Sequence, residues 1–193
     1  LDILSNNVLM IHDGTSDPEW RPFSNVGGKF VADMDNDGDK DIVYGGNTLG
    51  WLENDGASNP SWTDNNIPYT DNYYNNTNSI SSVFAADLDN DGDKDIIATL
   101  GGSYIIWLEN DGASDPSFTE HVLSTNSGNP KDAYAGDIDN DGDMDFVVAA
   151  RGIGLLLFTN DGASDPSFTK STLVLEDGVS NTNLHIVDID KDG

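Results

Sequence analysis

The sequence contains no cysteine, which excludes disulfides and thiolate metal sites alike. Basic residues are nearly as scarce. Eight Lys and Arg stand against 35 Asp and Glu, giving a formal net charge of −27 and a pI near 4.1. A surface this negative repels nucleic acid and anionic membranes, and it suits cations or solution at high ionic strength. No apolar run approaches the ~18 residues needed to cross a bilayer, so no membrane insertion is expected, and no signal peptide is visible. Leu-rich helical stretches are missing too. Hydrophobic residues make up only 36%, yet 193 residues are enough for one domain with its own core. Acidic, apolar-poor chains are often disordered. Against that, four Trp, six Tyr and seven Phe recur in register along the chain.

What is present is a repeat. "DMDNDGDKDIV" begins at Asp33, "DLDNDGDKDII" at Asp87, "DIDNDGDMDFV" at Asp137 and a shorter "DIDKDG" at Asp188, with spacings of 54, 50 and 51. A second motif interleaves with the first: "LENDGASNPSWT" from 52, "LENDGASDPSFT" from 108, "FTNDGASDPSFT" from 158 and a diverged "MIHDGTSDPEW" from 10. Between the motifs lie short runs rich in β-branched and aromatic residues, bounded by Gly, Asn, Asp or Pro, which read as strands. In the second unit these are "SVFAADLD", "DIIATLGG", "YIIWLEND" and "PSFTEHVL". Asp111-Gly112 and Asp115-Pro116 make the turn before the last of them. Four short antiparallel strands in ~50 residues match the blade of a β-propeller. The fold class expected is therefore all-β, a single array with partial units at 1–28 and 184–193 and units at 29–82, 83–132 and 133–183. Phe30, Phe84, Tyr134 and His185 share one slot, and Trp51, Trp107 and Leu157 share another. Both slots suit packing of sheet on sheet, so His185 reads as a packing residue.

Five aspartates in nine residues repel one another unless something neutralises them. Calcium takes six to eight oxygens, often from carboxylates at alternate positions of a tight loop. Numbered from Asp33, carboxylates fall at positions 1, 3, 5 and 9: Asp33, Asp35, Asp37 and Asp41. Gly38 at position 6 permits the sharp turn. Asp39 at position 7 would offer its backbone carbonyl, leaving its side chain to point outward. The same positions give Asp87, Asp89, Asp91, Asp93 and Asp95 in the second loop, and Asp137, Asp139, Asp141, Asp143 and Asp145 in the third. Magnesium prefers strict octahedral geometry and keeps its waters, and zinc would want His or Cys. An EF-hand needs a bidentate Glu at position 12, where this chain has Tyr44, Ala98 and Val148. The loop therefore joins strands rather than helices.

The loop "D-x-D-x-D-G-x-x-D" ahead of an apolar strand, at this spacing, resembles the FG-GAP/VCBS repeat, whose relatives occur in the propellers of integrin α subunits and in secreted bacterial proteins. The resemblance covers essentially the whole chain. It implies propeller-type blades, calcium in the hairpin between the first two strands and an extracellular or cell-surface setting. It does not by itself imply one function.

Asp188, Asp190 and Asp192 open a fourth loop, and Asp2 in "LDIL" aligns with position 9. The chain ends thus share one split calcium site. Two architectures fit: a ring closed by its own ends, or a window on a longer array whose neighbours complete the site, either a larger propeller or an open, filament-like stack. The abrupt start at "LDIL" reads as a processed or excised segment. Catalysis is not expected. Glu53 and Glu109 occupy one repeat slot that Thr159 fills in the next unit, His12, His121 and His185 fall in different slots, and no nucleophile elbow appears. A calcium-stabilised structural or adhesive scaffold, partnered by copies of itself or adjacent segments, explains the near-identity of the units. The alternative is a module binding glycans or cell-surface proteins through Trp62, Tyr69, Tyr73 and Tyr74 in and beside the long linker 64–82, which also carries the glycosylation sequon Asn75-Asn76-Thr77.

Overall fold

A computed structural model of the chain describes residues 3–5, 8–10, 20–22, 27–57, 60–70, 79–174 and 184–187. A three-stranded antiparallel sheet comprises β1 (Ile3–Ser5), β2 (Val8–Met10) and β3 (Trp20–Pro22). Three four-stranded sheets follow. The first holds β4 (Gly27–Ala32), β5 (Asp41–Gly45), β6 (Leu49–Asn54) and β7 (Trp62–Asn66). The second holds β8 (Ile80–Ala86), β9 (Asp95–Leu100), β10 (Tyr104–Asn110) and β11 (Phe118–Ser124). The third holds β12 (Asn129–Gly136), β13 (Asp145–Arg151), β14 (Gly154–Asn160) and β15 (Phe168–Val174). Strands pair in sequence order, each antiparallel to the next, as expected of blades. Among the described residues no contact closes the sheets into a ring.

The second strands explain the stacking. "DIVYG" and "DIIATL" are buried along their whole length, so they carry no polar face. A sheet whose strands read as continuous apolar runs must be covered on both sides. One core joins the first and second sheets through Val43, Leu49, Trp51, Val83, Ile96 and Ile106. A second joins the second and third through Phe84, Ile97, Trp107, Phe146, Val148 and Phe158. Trp51 and Trp107 thus pack sheet on sheet, as their shared slot suggests. Leu157 stays half-buried, because in β14 burial alternates strictly and one face is left open.

The first strands line up as an aromatic ladder. Phe30 meets Phe84 at 4.3 Å between ring centroids, Phe84 meets Tyr134 at 5.0 Å, and Tyr134 meets His185 edge-on at 5.9 Å. Each such pair adds ~0.5–1.5 kcal/mol beyond its buried area. The packing role read for His185 holds. Asp132 reinforces the row by accepting from Ser82 Oγ on one oxygen and from the Leu184 amide on the other, both at 2.8 Å. Residues 184–187 therefore sit on β12 much as β12 sits on β8.

Candidate metal centres

Each acidic loop is the hairpin between the first and second strands of a blade. Two residues give it its curl. Position 4 is an Asn in the left-handed region, with φ of 60° at Asn36, 63° at Asn90 and 62° at Asn140. Asn tolerates that conformation better than most side chains. Position 6 is Gly, with φ of 98°, 102° and 100° at Gly38, Gly92 and Gly142. The curl turns backbone amides onto the first carboxylate. The Gly38, Gly92 and Gly142 amides each donate to Oδ2 of Asp33, Asp87 and Asp137 at 3.1 Å.

Three aspartates converge inside each loop. Asp33, Asp35 and Asp37 form one group, Asp87, Asp89 and Asp91 a second, and Asp137, Asp139 and Asp145 a third. In each, three carboxylate oxygens lie within 4.8 Å of one another. Burial, with neighbouring carboxylates adding to it, pushes the Asp35 and Asp89 carboxyls above the ordinary value. Asp139 is pushed up as well, by desolvation and then by Asp145 and Asp141. Asp33 Oδ1 and Asp87 Oδ1 are buried and have no hydrogen-bond partner. A buried carboxylate oxygen without a donor is costly, and a cation at the centre of the loop would satisfy it. All the donors are hard oxygens, the set that calcium takes, whereas zinc sites draw on His and Cys.

The position-9 aspartates have a further task. Asp41, Asp95 and Asp145 are fully or almost fully buried. One oxygen of each accepts from the position-2 amide (Met34, Leu88, Ile138) at 2.8–3.1 Å. The other accepts from the amide of the Asn that ends the third strand (Asn54, Asn110, Asn160) at 2.8–2.9 Å. They clamp the loop to its own sheet, while Asp145 also faces the third cluster. Burial raises the Asp41 carboxyl to about 6 and that of Asp95 to about 7.

The position-7 side chains depart from expectation. They do not point outward. Asp39, Asp93 and Asp143 lie so close over Gly56, Gly112 and Gly162 of the Asp-Gly turn in their own blade that a Cβ there would collide with the carboxylate. Asp93 also accepts from Asn36 Nδ2, and Asp143 from Asn90 Nδ2 at 2.8 Å. Consecutive loops are thus bonded across the blade boundary.

Residues 33–98 and 87–148 match the FG-GAP-like repeat, two overlapping pairs that together span more than half of the sequence. The chain belongs to the FG-GAP-like repeat family. No curated protein matches it. In these FG-GAP-like repeats the loops are also tied to the following blade by residues that sequence reasoning passed over. Asn110 Nδ2 donates to Met34 O of the preceding loop at 3.0 Å and to Lys94 O of its own at 3.1 Å. Asn160 repeats the pair on Leu88 O at 2.7 Å and Met144 O at 3.2 Å. The signal was the invariant Asn of "END", "END" and "TND", which reads from sequence as mere turn chemistry. Glu53 and Glu109 make structural contacts, with Asn65 at 3.0 Å and His121 at 2.7 Å. The expected fourth site of Asp188, Asp190, Asp192 and Asp2 lies outside the described residues, as do His12, Tyr73, Tyr74 and the sequon.

Proposed function

We propose that this FG-GAP-like array is a calcium-stabilised, non-catalytic structural or adhesive scaffold that works outside the cell, where calcium is plentiful. The observation that carries the reading is the pair of buried, partnerless oxygens on Asp33 and Asp87, each at the centre of a curled loop of carboxylates. Asp33, Asp35 and Asp37 would hold the first ion, Asp87, Asp89 and Asp91 the second, and Asp137, Asp139 and Asp145 the third. The ion supplies positive charge and no reaction. The chain's own contribution is to hold the loops curled and bonded blade to blade. Adjacent repeat segments or further copies of the chain are the partners, a reading supported by residues 184–187 continuing the aromatic row. Among the described residues no helix is long and apolar enough to cross a membrane.

Calcium modules of the extracellular kind bind with Kd of about 10⁻⁴–10⁻³ M. Calorimetric titration should therefore register at least three ions per chain in that range. Absence of calcium binding at millimolar concentration would refute the proposal.

A further inference from the structure

The boundary between the first two four-stranded sheets differs from the boundary between the second and third. In the second sheet His121 lies flat on Trp107, with ring centroids 4.4 Å apart and planes 23° apart, and Phe168 of the next blade closes on Trp107 edge-on at 6.1 Å. The register makes Asn65 the counterpart of His121, since Trp51 pairs with Asn65 as Trp107 pairs with His121. Asn65 keeps the bond to the glutamate, on Glu53 instead of Glu109, but it has no ring. At this boundary there is a cleft of about 350 Å³ between β7 with the residues after it and the turn into β11.

We propose that this cleft binds the ring of an amine-bearing sugar. Its volume falls at the low end of ligand sites, about 300–1,000 Å³, which suits one ring. Asp64 and Asp115 line it. Among the described residues Asp64 accepts only from Tyr44 Oη, at 2.5 Å, and Asp115 has no partner. With no basic residue among those lining the cleft, the two carboxylates select a cation, and an ammonium group supplies one with three donors. Asn65, Asn66 and Ser117 add amide and hydroxyl groups, while Pro116 and Phe118 give apolar wall. A pyranose has that pattern, apolar on its faces and polar around its rim. A lysine side chain has one polar end and would leave the amides unmatched.

The test uses the calcium-saturated chain, with its melting curve as the control for folding, so that binding in the cleft is read separately from metal occupancy. Glucosamine, glucose and lysine methyl ester are titrated and followed by NMR shifts of Asn65, Asn66 and Phe118. Glucosamine should bind at least about tenfold more tightly than either of the others. Asp64→Asn should weaken it by about tenfold. Asn65→His, a ring that the neighbouring blade already accommodates, should close the cleft and abolish binding without lowering the melting temperature. Should Asn65→His lower the melting temperature instead, Asp115→Asn at an exposed turn gives the same reading, again about tenfold. No glucosamine binding to the parent chain, equal binding of lysine methyl ester or glucose, or full binding by Asn65→His would each overturn the proposal.

Discussion

At the residue scale, aspartates within nine consecutive residues have three separate tasks. Those at positions 1, 3 and 5 converge in the first two loops, and those at positions 1, 3 and 9 in the third; the one at position 9 holds each loop to its sheet, and Asp93 and Asp143 at position 7 reach the neighbouring blade. Substitutions should separate these tasks. Asp91→Ala removes a carboxylate from the middle cluster, so calorimetry should lose one ion and the melting temperature should fall. Asp93→Ala leaves its backbone carbonyl in place. The calcium count should stay unchanged while stability falls by about 0.5–1.5 kcal/mol, the worth of one hydrogen bond. Asp41 and Asp95 shape the response to acid. Without metal, the folded state holds protons on Asp95 up to about pH 7 and on Asp41 up to about 6, well above the unfolded value of 3.8. The folded state therefore binds more protons across that window, and stability rises as the pH falls. In EGTA the melting temperature should increase from pH 7.5 to pH 4.5. In excess calcium the ion competes for the loop carboxylates, so the same titration should flatten or reverse. An apo protein that loses stability on acidification through this range would contradict the burial argument.

At the scale of elements, the strands were legible because their chemistry is local. β8 to β11 fall on the four runs that composition and turn residues mark out, and the loops fall on the aspartate motif. What joins one blade to the next was not legible, because it depends on which side chains face each other across a boundary of some 50–75 residues. Asn110 is the clearest case. Its amide reaches Met34 O, 76 positions away, and nothing local to "LENDG" announces that. Being 2% exposed, it leaves two carbonyls and the Gly112 amide without their side-chain partner if removed. Asn110→Ala should cost about 2–3 kcal/mol, since each unsatisfied buried group costs ~1–3 kcal/mol. Asn54→Ala, whose side chain among the described residues meets only Lys40 O and the Gly56 amide at an exposed site, should cost about 1 kcal/mol. Urea denaturation of the two variants tests the order. The position-7 aspartates taught the same lesson in reverse. A loop numbered on its own leaves them idle, and only the adjoining blade gives them partners.

At the scale of the whole molecule, the proposed calcium sites would link metal to fold. A ligand that binds only the folded state adds RT ln(1 + [L]/Kd), ~2.7 kcal/mol per site at a hundredfold excess. The three described clusters alone would then contribute about 8 kcal/mol, comparable with the whole stability of an ordinary domain, ~5–15 kcal/mol. Chelation by EGTA should lower the melting temperature steeply, and a curve indifferent to EGTA would make the loops ordinary turns. The charge behaves differently. Three divalent ions offset only six of 27 formal negatives, so the loaded chain stays strongly acidic and should remain dispersed in calcium at low salt.

The sheets of this chain have no inside and outside of their own. β9 is buried from end to end because a neighbour covers each face, whereas β14 shows an alternating, half-open pattern. A single unit excised from the row would have almost nothing to fold around. The first pair would have to form together, at the full entropic expense of ordering two units for one shared boundary. Every later unit would add one boundary for one unit ordered. Such a row grows like a crystal from a seed. A series of chains with two, three and four units should therefore show stability rising faster than in proportion to length at first and then by equal steps, with unravelling that begins at the open faces and moves inward.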